Sequence, residues 1–321
     1  MTKISGLGSK FYIGGFDLSG DVSAVSKVSA PMNTADVTAI QSQAMERIGL
    51  VHDAGIDFTT LFEDTTSVSS PGVPATTVPL ISTYNFSVYV TITGGTMTNV
   101  SINGSTVGTG AGTYILPALG TITLTYTVAP TWSWAPVNTE HDLLSTLPTT
   151  DQIVTFFVGA AVGNPAASMI GKQLNYDPTR AQAGDLSMAV SAVANGHVMD
   201  WGVQLTAGAK IDTAAATSGT TVNQLAATSF GWQAYAHTLN VVGTSCQLKL
   251  EDSPDNSTWT ALTGGAFTAV NGGSAPTAQR LAGSTTATVN QYIRVVSQGT
   301  FSYARYVVQF TRNASAPLSG L

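Results

Sequence analysis

The sequence is short of charge. Only 9% of its 321 residues are Asp, Glu, Lys or Arg, against about a quarter in ordinary soluble domains. With 43% apolar residues, 32 glycines and a mean hydropathy of +0.19, a free monomer would be poorly protected against association. Much of the surface is therefore expected to be covered by other copies or partners. Cysteine is nearly absent. Cys246 alone excludes an internal disulfide and a thiolate zinc site, so packing must hold the fold. Basic residues are scarce as well: 12 Lys and Arg with a net charge of −6 argue against gripping a phosphate backbone, although the chain could lie beside nucleic acid without holding it. No stretch reaches the roughly eighteen consecutive apolar residues of a membrane helix, and the opening MTKISGLGSKFYIGG lacks the apolar run of a signal peptide, so neither a membrane span nor export is expected.

Strand signals dominate what is present, in a length suited to two or three domains. In SVYVTITGGTMTNVSINGSTV, residues 87–107, Val88, Val90 and Ile92 alternate with Tyr89, Thr91 and Thr93. Gly94-Gly95 and Asn103-Gly104 supply the positive φ of tight hairpin turns. TYILPALGTITLTYTV then continues a meander, with Ile122, Leu124, Tyr126 and Val128 on one face. Residues 73–135 thus read as a small β-sandwich module, bounded by the Pro-bearing connectors SSPGVPATTVP and APTWSWAP. In the second connector Trp132 and Trp134 face the same way on an extended backbone. They are either a clamp closing the seam of the module or a platform for stacking a ligand. The clamp is favoured, because no acidic or amide partners for a sugar lie nearby in sequence; Trp132 and Trp134 remain the candidate ligand platform.

The flanks of this module look like two halves of one domain, 1–72 and 136–216. The first half has short alternating strands between Gly and Asp turns. The second begins with a helix over 138–147, with Thr139 as N-cap, Asp142 in the capping-box position and Pro148 as terminator, and returns to strands. Residues 217–321 form a further β region. Cys246, Leu248 and Leu250 alternate with Gln247, Lys249 and Glu251, and Ala304, Tyr306, Val308 and Phe310 share a face. Short strands separated by turns suggest an accessory β-sandwich. The expected fold class is all-β: mainly an antiparallel β-sandwich or partly open barrel with one flanking α-helix, plus additional small β-sandwich domains.

No catalytic constellation emerges. His52, His141, His197 and His237 are scattered, without HExxH spacing, a Gly-x-Ser-x-Gly elbow or a phosphate-cradling loop. Asp252 with Asp255, and Asp17 with Asp21, read as turn residues before calcium ligands. Cys246 reads as a small buried apolar residue. Asn85, Asn99, Asn103, Asn256 and Asn313 each begin an Asn-x-Ser/Thr triplet, as expected by chance in so Ser- and Thr-rich a chain. The expectation is a protein that is not an enzyme and uses no cofactor or metal.

The order GGFDLSGDVSAVSKVS, DVTAIQSQAMERIGLVHDAGIDFTTLFE, TEHDLLSTLPTTDQIVTFFVGAAVGNPAASMIGKQLNYDPTRAQAGDLSMAVSAVANG and WGVQLTAG, spanning 1–72 and 136–212, resembles the tail tube (major tail) proteins of long-tailed bacteriophages, especially those of actinobacteria. ITGGTMTNVSINGS with ITLTYTVAPTWSWAP is similar to a small β module appended to phage structural proteins. LKLEDSPDNSTWTALTGGAFTAV through QYIRVV is similar to accessory β-sandwich domains on phage tails. The resemblance implies a virion protein, made in the host cytoplasm, whose copies close into six-membered rings stacked as a tube. It implies partners among the tape measure, terminator and distal tail proteins, and DNA that passes without tight binding. The inserted and C-terminal domains would then project outward. The rival reading is a binding protein, either a capsid decoration protein or a carbohydrate-binding adhesin. The split of one domain by an insertion favours the tube.

Overall fold

The computed structural model describes residues 8–41, 44–62, 68–84, 87–116, 120–137, 140–180, 184, 186–272 and 274–315. Its backbone is nearly all antiparallel β. Two strands dominate: Trp232–Ser253 and Tyr292–Arg312, of 22 and 21 residues, pair with each other along their whole length. Here the structure corrects the expectation of short strands. QYIRVV and YARYVVQF are one strand, joined through a stretch that reads as a break. Gly243 (φ 129°) and Gly299 (φ 118°) sit at this point, and the register shifts around Gly243. A Cβ on Gly243 would lie 2.6 Å from Phe301 Cα, so only glycine lets the ladder bend there and continue.

On one side of the bend Cys246, Leu248 and Leu250 point into a core with Leu262, Phe267, Val270, Ile293 and Val295, as the alternation predicts. On the other side Ala304, Tyr306, Val308 and Phe310 are buried, but so are Val307 and Gln309 between them. This half of the ribbon is covered on both faces, which removes the alternation. Val307 packs with Tyr12, Phe157, Ala166 and Leu239 in a separate cluster.

The remaining strands extend the same sheet. Asp200–Gln204 and Lys210–Asp212 pair with Tyr292–Arg312. Pro165–Gln173 pairs with Asp200–Gln204, Gln152–Phe157 with Pro165–Gln173, and Lys10–Ile13 with Gln152–Phe157. On the other flank Gly55–Leu61 lies between Leu186–Ala194 and Val22–Ser29. Strands from both sides of 73–135 therefore stand in one sheet, and its pairing continues across position 216. Their core is Phe11, Ile13, Ile56, Phe58, Val154, Met169 and Val190, capped by Leu144. Leu144 comes from the helix, described over Glu140–Leu144, which ends before the expected position 147. The chain leaves it through Leu147, whose φ is +45°, just before Pro148. The proposed N-cap Thr139 and the Asn85 triplet lie outside the described residues. Glu140 is fully buried, accepting hydrogen bonds from Thr60 Oγ1 (2.8 Å) and Tyr176 OH (2.9 Å).

The 73–135 segment is a two-layer sandwich, not a meander. Pro79–Ile81, Thr96–Ile102, Ser105–Gly108 and Thr121–Val128 form one sheet; Val88–Thr93, Gly112–Leu116 and Thr131–Pro136 form the other. Both glycine turns have the expected positive φ, yet only Asn103-Gly104 closes a hairpin. Gly94-Gly95 carries the chain from one layer to the other, so that Val100 and Ile102 face Val88, Val90 and Ile92. Ile122 and Leu124 join this core, whereas register shifts after Thr125 turn Val128 outward, 58% exposed. The sandwich is seated on the bend of the long ribbon: Val242 and Tyr303 belong to its core, and Asn240 Nδ2 donates to the Thr113 carbonyl at 3.2 Å.

His237 joins three elements. Its Nδ1 accepts from Gly15 N (3.1 Å), so Nε2 carries the proton and donates to Thr155 Oγ1 (2.8 Å), which in turn bonds Ser168 Oγ (2.8 Å). Complete burial lowers its pKa to about 3.

Two outcomes follow from this architecture. Replacing 73–135 by a short Gly-Ser bridge should leave a cooperatively folded β protein by circular dichroism, because the main sheet does not use those residues. Dye binding at the newly bared Val242 and Tyr303 should rise and be suppressed by Val242→Thr with Tyr303→Thr; an unfolded deletion product would refute independence of the sheet. Second, the unfolded chain protonates His237 below about pH 6.5 while the folded chain resists to about 3. Folding stability should therefore fall as pH drops through that window, by up to about 1.4 kcal/mol per pH unit. Chemical denaturation at pH 7 and pH 4 should show the stability gap between the parent and His237→Asn shrinking with acidity.

Candidate assembly surface

The two tryptophans do lie on one strand, Thr131–Pro136, with their rings in contact. Their centroids are 5.5 Å apart at 72°, edge to face. Trp134 is 6% exposed and packs in the sandwich core, near Tyr84. Trp132 is half-buried, and its Nε1 donates to the Pro71 carbonyl at 2.7 Å. The backbone nitrogen of Trp134 donates to Ser70 Oγ at 2.7 Å. Both residues thus hold the Pro-bearing entry connector against the exit strand.

The other residues singled out in the sequence are separated from one another. Asp255 caps its own turn, accepting from Ser257 N, Thr258 N and Ser253 Oγ, and these bonds hold its carboxyl well below the usual range. Asp252 is buried, bonded by Asn290 N and Thr260 Oγ1. Asp17 accepts from Ser19 and also pairs with Arg305 at 2.8 Å, 288 residues away. Local turn chemistry accounts for the first bond; nothing in the sequence signals the second. Cys246 is buried among apolar side chains, which pushes its thiol up to about 12. His141 contacts Phe62 and Tyr176.

Sequence reasoning missed the most exposed apolar feature. Met32–Asp36 and Arg47–His52 form a separate two-stranded sheet that continues outward from Val22–Ser29 and Gly55–Leu61. The arm carries Met32, Val37, Ile40, Met45 and Ile48, all exposed, with Ile40 at 107%. None of these joins a hydrophobic cluster. Met32 and Ile48 stand on the two strands and Val37, Ile40 and Met45 on the connection between them; an apolar residue in sequence looks the same whether a core or solvent lies opposite. At the base of the arm, Val22–Ser29 is paired on one side only among the described residues and is bulged twice. A groove of ≈ 410 Å³ separates it from Lys10 and Phe11, with Phe156 and Ser19 in its wall. An unpaired edge beside a projecting apolar hairpin is a surface suited to strand pairing and docking.

Among the described residues six cations form ion pairs: Lys27 with Asp57, Lys172 with Asp151, Lys210 with Asp212, Arg280 with Asp200, Arg294 with Glu251 and Arg305 with Asp17. Among the described residues no helix is long and apolar enough to cross a membrane.

The tryptophan clamp sets a test. Trp134→Ala should destabilise the 73–135 sandwich by about 3–5 kcal/mol, read as an earlier melting transition, and Trp132→Ala by less because it is half-buried. Self-association should be unchanged. Unaltered melting with lost glycan binding would make the pair a ligand platform instead.

No protein family model matches the chain, and no curated protein matches it. Among solved structures it matches the crystal structure of the SPP1 Dit protein (gp 19.1), described as a paradigm of the hub adsorption apparatus in phages infecting Gram-positive hosts. The identity is 9%, over 94% of this chain and 98% of that one, with a TM-score of 0.28, a similarity too low to bear on fold or function.

Proposed function

We propose that the chain is a structural, non-enzymatic subunit of a phage tail that assembles with itself into stacked rings and requires no cofactor. The observation that carries this reading is the pairing of a one-sided edge strand, Val22–Ser29, with the exposed apolar arm that continues it. A free monomer with 9% charged residues has little to keep such an arm soluble, whereas a neighbour covering it removes the liability. The resemblance of residues 1–72 and 136–212 to tail tube proteins supplies the geometry: heterologous contacts close a ring of six copies, and rings stack into a conduit for DNA. The commitment of six cations to internal ion pairs leaves few for phosphate, which suits a lumen past which DNA moves without tight binding. Tape measure, terminator and distal tail proteins are the partners this placement in the virion would bring.

Electron microscopy of the concentrated chain, and mass spectrometry of purified tails, test the reading. Rings or hollow rods, sixfold in projection, are the expected outcome. A chain that stays monomeric at all concentrations and is absent from tails would overturn it.

A further inference from the structure

The strand Lys210–Asp212 is three residues long, yet it carries two opposite charges into the interior. Lys210 lies opposite Tyr306 in the ladder and Asp212 opposite Ala304. Residues two apart on a strand share a face, so the two charged groups meet: Lys210 Nζ contacts Asp212 Oδ1. The second carboxylate oxygen, Oδ2, accepts from Tyr306 OH (2.5 Å) and Ser297 Oγ (2.6 Å). These two donors stand on one strand on either side of Gly299, and the bend there folds them onto the same atom. Lys210 Nζ also donates to Tyr306 OH at 3.1 Å. Tyr306 and Ser297 are fully buried, while 3% of the Asp212 side chain and 24% of the Lys210 side chain are exposed. An amine nitrogen thus touches a carboxyl group whose far oxygen already holds two hydroxyl donors, the arrangement that stabilises charge developing on that oxygen during acyl transfer.

We propose that Lys210 and Asp212 condense into an amide, a covalent clip that the folded chain forms by itself. One proton crosses from Nζ to Oδ1, leaving an amine beside a carboxylic acid. The nitrogen lone pair forms the Nζ–Cγ bond, and the π pair of the Cγ–Oδ2 bond moves onto Oδ2, where Tyr306 and Ser297 hold it. As that pair returns, the Cγ–Oδ1 bond breaks. Oδ1 takes a second proton from the nitrogen and departs as water past the exposed part of Lys210. An ammonium and a carboxylate have become a neutral amide and one water, with nothing oxidised or reduced. Holding the two groups in contact supplies the proximity that a free amine and acid lack, and burial favours the neutral product over a desolvated ion pair. The step takes place within one chain and does not depend on the self-assembly reading.

The intact mass of the full chain, denatured after purification at neutral pH, tests the proposal. The parent should weigh one water less than its sequence, with fragmentation confining the loss to residues 210–212. Lys210→Arg keeps the charge and removes the amine, and should have its full sequence mass. Tyr306→Phe and Ser297→Ala, measured in their soluble fractions, should leave a larger share of the chain at full mass, with formation of the lighter species slowed by about 10²–10³-fold. A parent that keeps its full mass overturns the proposal, whatever the variants do. So does a loss of water located at another position, or the same loss in Lys210→Arg.

Discussion

The antiparallel ladder between Trp232–Ser253 and Tyr292–Arg312 is the constraint on which the other parts rest. A ribbon of this length must twist and bend, and it does so where Gly243 and Gly299 remove the Cβ atoms that would strike the partner backbone. The bend divides it into two working halves. One half carries the core around Leu248 and Val295. The other lies beneath the strands built from residues 10–13, 152–173 and 200–212, and the bend itself offers Val242 and Tyr303 to the sandwich. A side chain at Gly243 would therefore disturb three packing regions at once.

In a chain with so little charge, the buried polar groups are concentrated where distant strands meet. Asp212 accepts from Tyr306 OH (2.5 Å) and Ser297 Oγ (2.6 Å) and pairs with Lys210, tying Lys210–Asp212 to the long strand. Asp200 accepts from Tyr235 OH (2.5 Å), which in turn accepts from Arg280 Nε (3.0 Å); burial raises the Asp200 carboxyl. Glu140 binds the helix to Thr60 and Tyr176. Hydrogen bonds to charged groups contribute about 1.5–3 kcal/mol each. Removing one partner costs more than the bond is worth, because a buried charge is then left uncompensated. Such clusters penalise any slipped register of these strands, which apolar side chains of similar size would tolerate.

The outer surface follows a different rule from the interior. Inside, six cations are matched to carboxylates and apolar faces to one another; on the arm, Met32, Val37, Ile40, Met45 and Ile48 are exposed and join no hydrophobic cluster among the described residues.

The sequence by itself determined the class of structure. Alternation in Val88–Ile92 and in Cys246–Leu250, the positive φ at Asn103-Gly104 and the scarcity of helix-favouring stretches are local properties, and local sterics suffice to translate them into strands and turns. It also placed Trp132 and Trp134 on one face of a strand at a seam. Tertiary structure decided the rest. Gly94-Gly95 has the same turn chemistry as Asn103-Gly104, yet crosses between layers, because the choice depends on which apolar faces must meet. Gly299 lies inside a strand, because a partner strand was there to carry the pairing through it. Asp17 reaches Arg305, and Ile40 stays exposed, because burial is settled by what the rest of the fold brings opposite a residue, and periodicity records only that the residue has a face to offer.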